Sequence, residues 1–181
     1  MKEIARLAFA AAMFLGTCQD LSATPVARPT YLGLHLGQSQ AEVKYLLGYP
    51  PNVIDSEASK DAFGGYLVYQ TDGRDPINKM PAGKSINDFL KWSYSKPGGR
   101  IDLAFSRDRD LEEITCYSNE FRMCPPLYGV SVGQSEASVL AELGEPSSSH
   151  LDGVAKVLNY VSFGLTLTLT QGRVYMITLR R

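Results

Sequence analysis

Apolar and polar residues alternate most cleanly towards the C-terminal end of the chain. Leu165, Leu167 and Leu169 fall on one side of an extended segment, and Thr166, Thr168 and Thr170 fall on the other, the period-two pattern of a half-buried strand. Gln171-Gly172 reads as a two-residue turn into a second extended run over 174–179, and 157–163 reads as a strand before them. Earlier in the chain, strands are predicted over 90–95, 101–105 and 111–116, with a turn at Asp108-Arg109-Asp110, and a further strand over 65–70. Between that strand and the next lies an insertion, 71–88, rich in Gly, Pro, Asp and Lys, which reads as a surface loop.

Two stretches carry the other period. Val43, Leu46 and Leu47 recur at three- and four-residue spacing, as do Val139, Leu140 and Leu143, so each set is expected on one face of a short helix. Ser39 is placed to cap the first helix, with Glu42 three residues on to complete a capping box. Ser135 keeps the cap in the second, with Ser138 in place of the glutamate and Glu136 set to complement the helix dipole. Gly48 and Gly144 stop the helices, and Pro50 and Pro146 prevent their continuation. A helix of about eight residues is marginal alone in water and must pack on something.

These helices belong to a repeat. Residues 33–50 return as 129–146 at a constant offset of 96, without gaps, and half of the eighteen positions are identical. Self-similarity of this kind signals a duplicated structural unit. The predicted fold is α+β: two tandem repeats, each a short helix on an antiparallel sheet, with the option of joining into one continuous curved sheet. The organisation read from it is a signal segment at 1–24, a first repeat over 25–118 carrying the insertion, and a second over 119–181.

The shared positions Gly37, Ser39, Val43, Leu47, Gly48 and Pro50, and their copies Gly133, Ser135, Val139, Leu143, Gly144 and Pro146, resemble the motif of the SmpA/OmlA (BamE-like) outer-membrane lipoproteins. Two such units in tandem with a cysteine pair are also similar to the β-lactamase inhibitory protein group. In both groups a methionine often follows the glycine, where this chain has Gln38 and Gln134. The first resemblance implies outer-membrane assembly or maintenance, and the second implies inhibition of a secreted enzyme. The matching residues are caps, stops and core positions, which speak to fold before function.

Composition places the chain among ordinary globular proteins, at 181 residues, 44% hydrophobic and 20% charged. A net charge of −1 argues against a nucleic-acid partner, which would want a basic surface. Lys2 and Arg6 precede an apolar run over 7–16, the layout of a secretory signal too short to span a bilayer. Three outcomes remain open for it: cleavage after Ala23, lipobox cleavage that leaves Cys18 as a lipid-carrying first residue, or retention as an anchor. The two cleavage outcomes place the body outside the cytoplasm, in the periplasm or at the outer membrane. Cys116 and Cys124 bracket a short loop, and in an oxidising compartment they are expected to form a disulfide, with two free thiols as the alternative.

Candidate chemistry is sparse. Gly129-Val-Ser131-Val-Gly133 spells a nucleophile elbow, but the first copy has His35 where the second has Ser131, and the one later histidine is His150. Ala82-Gly83-Lys84-Ser85 resembles the end of a phosphate loop, yet the position that should hold its first glycine is Asn78. His35 and His150 have no cysteine at metal-ligand spacing, and Asp108, Asp110, Glu112 and Glu113 read as a solvated acidic turn. No cofactor and no catalytic residue is expected. Tyr66, Tyr69, Trp92, Tyr94, Tyr160 and Tyr175 fall in predicted strands, where they either pack the sheet under the helices or share an exposed face that binds a partner. The chain therefore reads as an exported, non-catalytic interaction module of the bacterial envelope with a protein partner. An enzyme inhibitor is the alternative, and an envelope hydrolase is a remote third.

Overall fold

In the computed structural model the described residues are 30–56, 66–74, 77–118 and 124–181. The signal segment, Cys18 and Gly65 lie outside them. A small ribbon of β1 (Thr30–Tyr31) and β2 (Leu34–His35) leads into the eight-residue helix α1 (Gln40–Leu47). Five strands follow: β3 (Asn52–Asp55), β4 (Leu67–Gln70), β5 (Lys91–Lys96), β6 (Gly99–Phe105) and β7 (Leu111–Ser118). Helix α2 (Glu136–Leu143) precedes β8 (Ser148–Asp152), β9 (Ala155–Tyr160), β10 (Leu165–Thr170) and β11 (Arg173–Arg180).

The expectation of a two-repeat α+β layout is overturned. The chain is mostly β, with one nine-stranded antiparallel sheet in the order β4-β3-β5-β6-β7-β11-β10-β9-β8. The physical reason is that strands dominate and the helices are too short to form a layer, while the two halves join at the centre. β7 pairs with β11 over five residues, from Met176 opposite Tyr117 to Arg180 opposite Glu113, so ladder bonds run through the place where two units would separate. Two helices of eight residues each cover only part of such a sheet and do not amount to a helical layer of their own.

What does repeat is local. Ser39 accepts the Glu42 N–H at 3.3 Å, and Ser135 accepts the Ser138 N–H at 3.3 Å. The Glu42 carboxylate returns to the Ser39 N–H at 2.7 Å, closing the capping box that the second copy lacks. Gly48 and Gly144 end the helices at φ +82° and +76°, left-handed values suited to glycine. Gly37 N–H donates to Leu111 O at 2.7 Å, and Gly133 N–H donates to Val174 O at 2.6 Å, so each copy hangs from a strand by the same bond. Tyr94 Oη donates to Gly48 O and Tyr160 Oη to Gly144 O, tying each helix end to the sheet.

The helical face differs from expectation in one residue. Val43 and Val139 are fully buried and Leu47 and Leu143 pack on the core, but Leu46 is 51% exposed. Gln40 takes the buried place instead, its Nε2 donating to Phe89 O at 2.9 Å. Other differences concern strands. β3 and β8 are present but carry no clean alternation, and 161–163 is a 3-10 turn closed by Gly164 in the left-handed region at φ +60° rather than the end of a strand.

Register sorts the sheet into two chemically opposite faces. One lateral row reads Tyr69, Val53, Trp92, Leu103, Ile114, Leu179, Leu165 and Tyr160 across eight strands. This apolar row forms much of the core beneath the helices. The next row along reads Gln70, Asn52, Ser93, Asp102, Thr115, Thr178, Thr166, Asn159 and Ser148, polar at every one of the nine strands. Because successive residues of a strand point to opposite faces, that row lies on the side away from the helices.

Candidate partner-binding face

The helix-free face is built around the middle of the polar row. Thr115 and Thr178 share a hydrogen bond between hydroxyls at 3.0 Å, and both are buried although no helix covers them. Asn159 and Thr166 bond at 3.0 Å, and Asn159 Nδ2 donates to Ser148 Oγ at 3.2 Å. Asp102 ion-pairs with Arg100 at 2.9 Å through one carboxylate oxygen. The other oxygen, Oδ1, is buried without a hydrogen-bond partner among the described residues.

Arg100 also lies over the Tyr117 ring, 4.6 Å from its centroid, a stacked cation that is weakly hydrated and suited to an interface. Burial, and then the Asp102 carboxylate beside it, push the Tyr117 phenol above its ordinary range, so it stays a neutral donor at physiological pH. Gly99, Arg100, Tyr117, Ser118 and Tyr175 line a shallow cleft of about 350 Å³. Tyr175 reaches it because the β10–β11 ladder shifts register beside it, between Thr168 and Leu169. Further along, Arg180 pairs with Glu113 at 2.7 Å next to a second shallow cleft that Ala104, Glu112 and Arg181 complete.

The predicted aromatics divide. Trp92, Tyr94 and Tyr160 are 0%, 6% and 2% exposed. Their polar tips are satisfied inside the fold, Trp92 by Ile86 O and the two tyrosines by the helix-end carbonyls. Tyr69 packs on Phe89 with ring centroids 5.7 Å apart. Tyr66 is half exposed beside Lys91, and Tyr175 alone of the six joins the cleft. The structure therefore does not gather them on one surface. Sequence reasoning missed Tyr117 and Arg100. The signal for both was available in the alternation of β7 and β6, where they take the parity opposite to Ile114, Cys116, Ile101 and Leu103.

The remaining candidates keep local roles. Ser131 N–H donates to Gln134 Oε1 at 2.9 Å, and His35 N–H donates to Gln38 Oε1 at 2.9 Å in the first copy, so the elbow-like motif is a repeated turn. Gly83-Lys84 also forms a turn, with Lys84 N–H donating to Pro81 O. Asp108 and Asp110 donate their N–H groups to Ser106 Oγ. Cys116 and Cys124 form a disulfide, Cα–Cα 5.8 Å, both ends fully buried.

A separate cleft of about 480 Å³ lies among the end of β3, the 81–90 segment and the β6–β7 turn. Its charged groups are Lys84, Arg107, Arg109, Asp55 and Asp88. Hydrogen bonds from Ser85, backbone first and then hydroxyl, hold Asp88 below the usual carboxylate range, with the Lys84 and Arg109 charges adding to them. Arg109 sits at φ +70° in the turn, and its Nη1 is buried without a hydrogen-bond partner among the described residues.

No family model and no curated protein matches the chain. Among solved structures, a DUF4309 family protein (YjgB) from Bacillus subtilis is similar at 12% identity with a TM-score of 0.47, over 82% of each chain.

Proposed function

We propose that the chain is an exported, non-catalytic protein-binding module of the bacterial cell envelope, and that its partner docks on the helix-free face of the sheet. One observation carries the choice of face: Arg100, Tyr117 and Tyr175 converge on a cleft there, beside a polar row that crosses every strand. Tyr and Arg are the residue types that anchor protein interfaces, being large, stiff and amphipathic. Hydroxyls and a carboxylate around them provide the polar surround that fixes orientation. The 71–88 segment follows directly on Gln70, at one end of that row, and supplies a second contact region. Envelope location rests on the signal-like start of the chain and on the likeness of its repeated motif to SmpA/OmlA lipoproteins, and Cys18 is the lipid attachment point if the lipobox is used.

A photo-crosslinking residue at Tyr175, compared with one at Tyr45 on the exposed side of α1, tests the reading in cells. Recovery of outer-membrane assembly components from position 175 alone is the expected result. A single soluble secreted enzyme would favour the inhibitor alternative, and equal yields from both positions would remove the face from consideration. Turnover of an ester or amide substrate that disappears in Ser131→Ala would replace the binding reading with a hydrolase.

A further inference from the structure

The two edges of the nine-stranded sheet are treated differently. At one, β4 is met at its last residue, where Gln70 bridges Lys79 in parallel and its N–H donates to Asn78 O at 2.7 Å. At the other, all five residues of β8 are exposed. Edge strands are commonly protected by Lys, Pro or a bulge. β8 reads Ser-Ser-His-Leu-Asp, pairs with β9 in unbroken register, and exposes 75% of Leu151 beside Val154 at 92%.

The outward-facing groups of β8 follow from its turn. Gly153-Val154 is a two-residue connection with Asp152 opposite Ala155, and Gly153 at φ +60° ahead of Val154 fits a type II′ hairpin. In such a hairpin the closing pair is hydrogen-bonded and the bonding alternates along the ladder. Asp152, His150 and Ser148 therefore direct their main-chain groups towards β9, while Ser149 and Leu151 direct theirs outwards.

We infer that β8 pairs antiparallel with β8 of a second copy of this chain, centred on His150. This register sets Ser149 opposite Leu151 of the other copy and Leu151 opposite its Ser149. Every outward N–H and C=O then meets an outward counterpart, each pair exchanging both bonds. A register shift of one residue would leave both outward residues of each copy without such a counterpart, and a shift of two would leave one. Ser148 comes opposite Asp152 of the second copy, and that carboxylate lies diagonal to His150, within reach of an imidazole N–H. The interface is isologous. The pairing uses up the β8 edge of both copies. Directly opposed residues of a sheet point the same way, so the two helix-free faces lie on one side of the dimer. The pairing stands whether or not that face binds a partner.

The test uses the full chain with Cys18→Ser, in which the other two cysteines are already joined. At a non-hydrogen-bonded pair the two Cα atoms stand about 4.5 Å apart, within disulfide reach, so His150→Cys is expected to give a covalent dimer on mild oxidation. Ser148→Cys places its two sulfurs on strand positions about 14 Å apart and is expected to remain uncrosslinked. Sedimentation should show a dimer for the parent and a monomer for Leu151→Pro, which removes one outward N–H and leaves the β9 ladder intact. Circular dichroism checks that the variant is folded. A parent monomeric across the concentration range, or crosslinking at 148 equal to that at 150, overturns the inference. So does protection of the Leu151 amide from exchange only when envelope extract is added, which would put another protein's strand at this edge.

Discussion

At the scale of single residues, the two copies of the repeated turn form an internal experiment. Ser39 and Ser135 cap their helices with the same hydroxyl-to-amide bond at 3.3 Å, but only Ser39 is answered by a carboxylate. Ser135→Ala should cost about 1 kcal/mol in denaturant unfolding. Ser39→Ala should cost more, because the Glu42 carboxylate loses its hydroxyl partner as well. Glu42 is held below its ordinary value of 4.5 by the Ser39 backbone and then its hydroxyl. A carboxylate depressed in the folded state adds stability above its unfolded pKa and loses it as pH falls through the folded one. Glu42→Gln should therefore flatten the acid limb of the stability curve below about pH 4.5 and leave its neutral plateau nearly parallel to the parent. The capping residues were legible in the sequence because a cap is a short-range device. Leu46 was misread because spacing alone cannot separate the buried stripe from its flank on so short a helix. Its counterpart in the second copy is Glu142, a substitution that an exposed position tolerates.

Among elements, legibility followed burial. β10 sets its leucines on one side and its threonines on the other, so its alternation is plain in the chain even though Thr168 is buried too. β8 is exposed throughout and has no apolar period to detect. It is a strand because β9 offers it a ladder, a tertiary cause that no local window contains. The run after Tyr160 misled in the opposite sense, since Val161 and Phe163 are apolar yet 76% and 36% exposed in a single turn. Cys116 sits in β7 opposite Ile101 and Ile177, so its disulfide to Cys124 staples the following loop to the core. Cys124→Ser should lower unfolding stability by about 2–3 kcal/mol, as expected for closing a loop of this length. Differential scanning calorimetry of the oxidised parent and the variant checks this. Reduction of the parent should add the mass of two hydrogens.

For the whole molecule, the fold class was the least legible feature, because the capped helices stand out in the chain while strands such as β8, exposed throughout, carry no period to count. The apolar row and the polar row both cross the seam between β7 and β11 without a break, and the candidate face depends on it, since Tyr117 comes from one half of the chain and Tyr175 from the other. Tyr117→Ala should weaken partner capture by about 2 kcal/mol, the size of an interface anchor, with sheet content unchanged by circular dichroism. Tyr45→Ala on α1 should leave capture as it was, and quantitative recovery of the crosslinked partner distinguishes them. The seam also sets an order of assembly. β11, which joins the halves, comes after every other strand in the chain, so Tyr117 waits for Met176 while the polypeptide is made. Until then β7 is an open border of a five-stranded partial sheet, as exposed to a neighbouring unfinished copy as to its own missing strand. The crowding of unfinished chains, rather than the stability of the finished protein, then limits how much of it folds correctly.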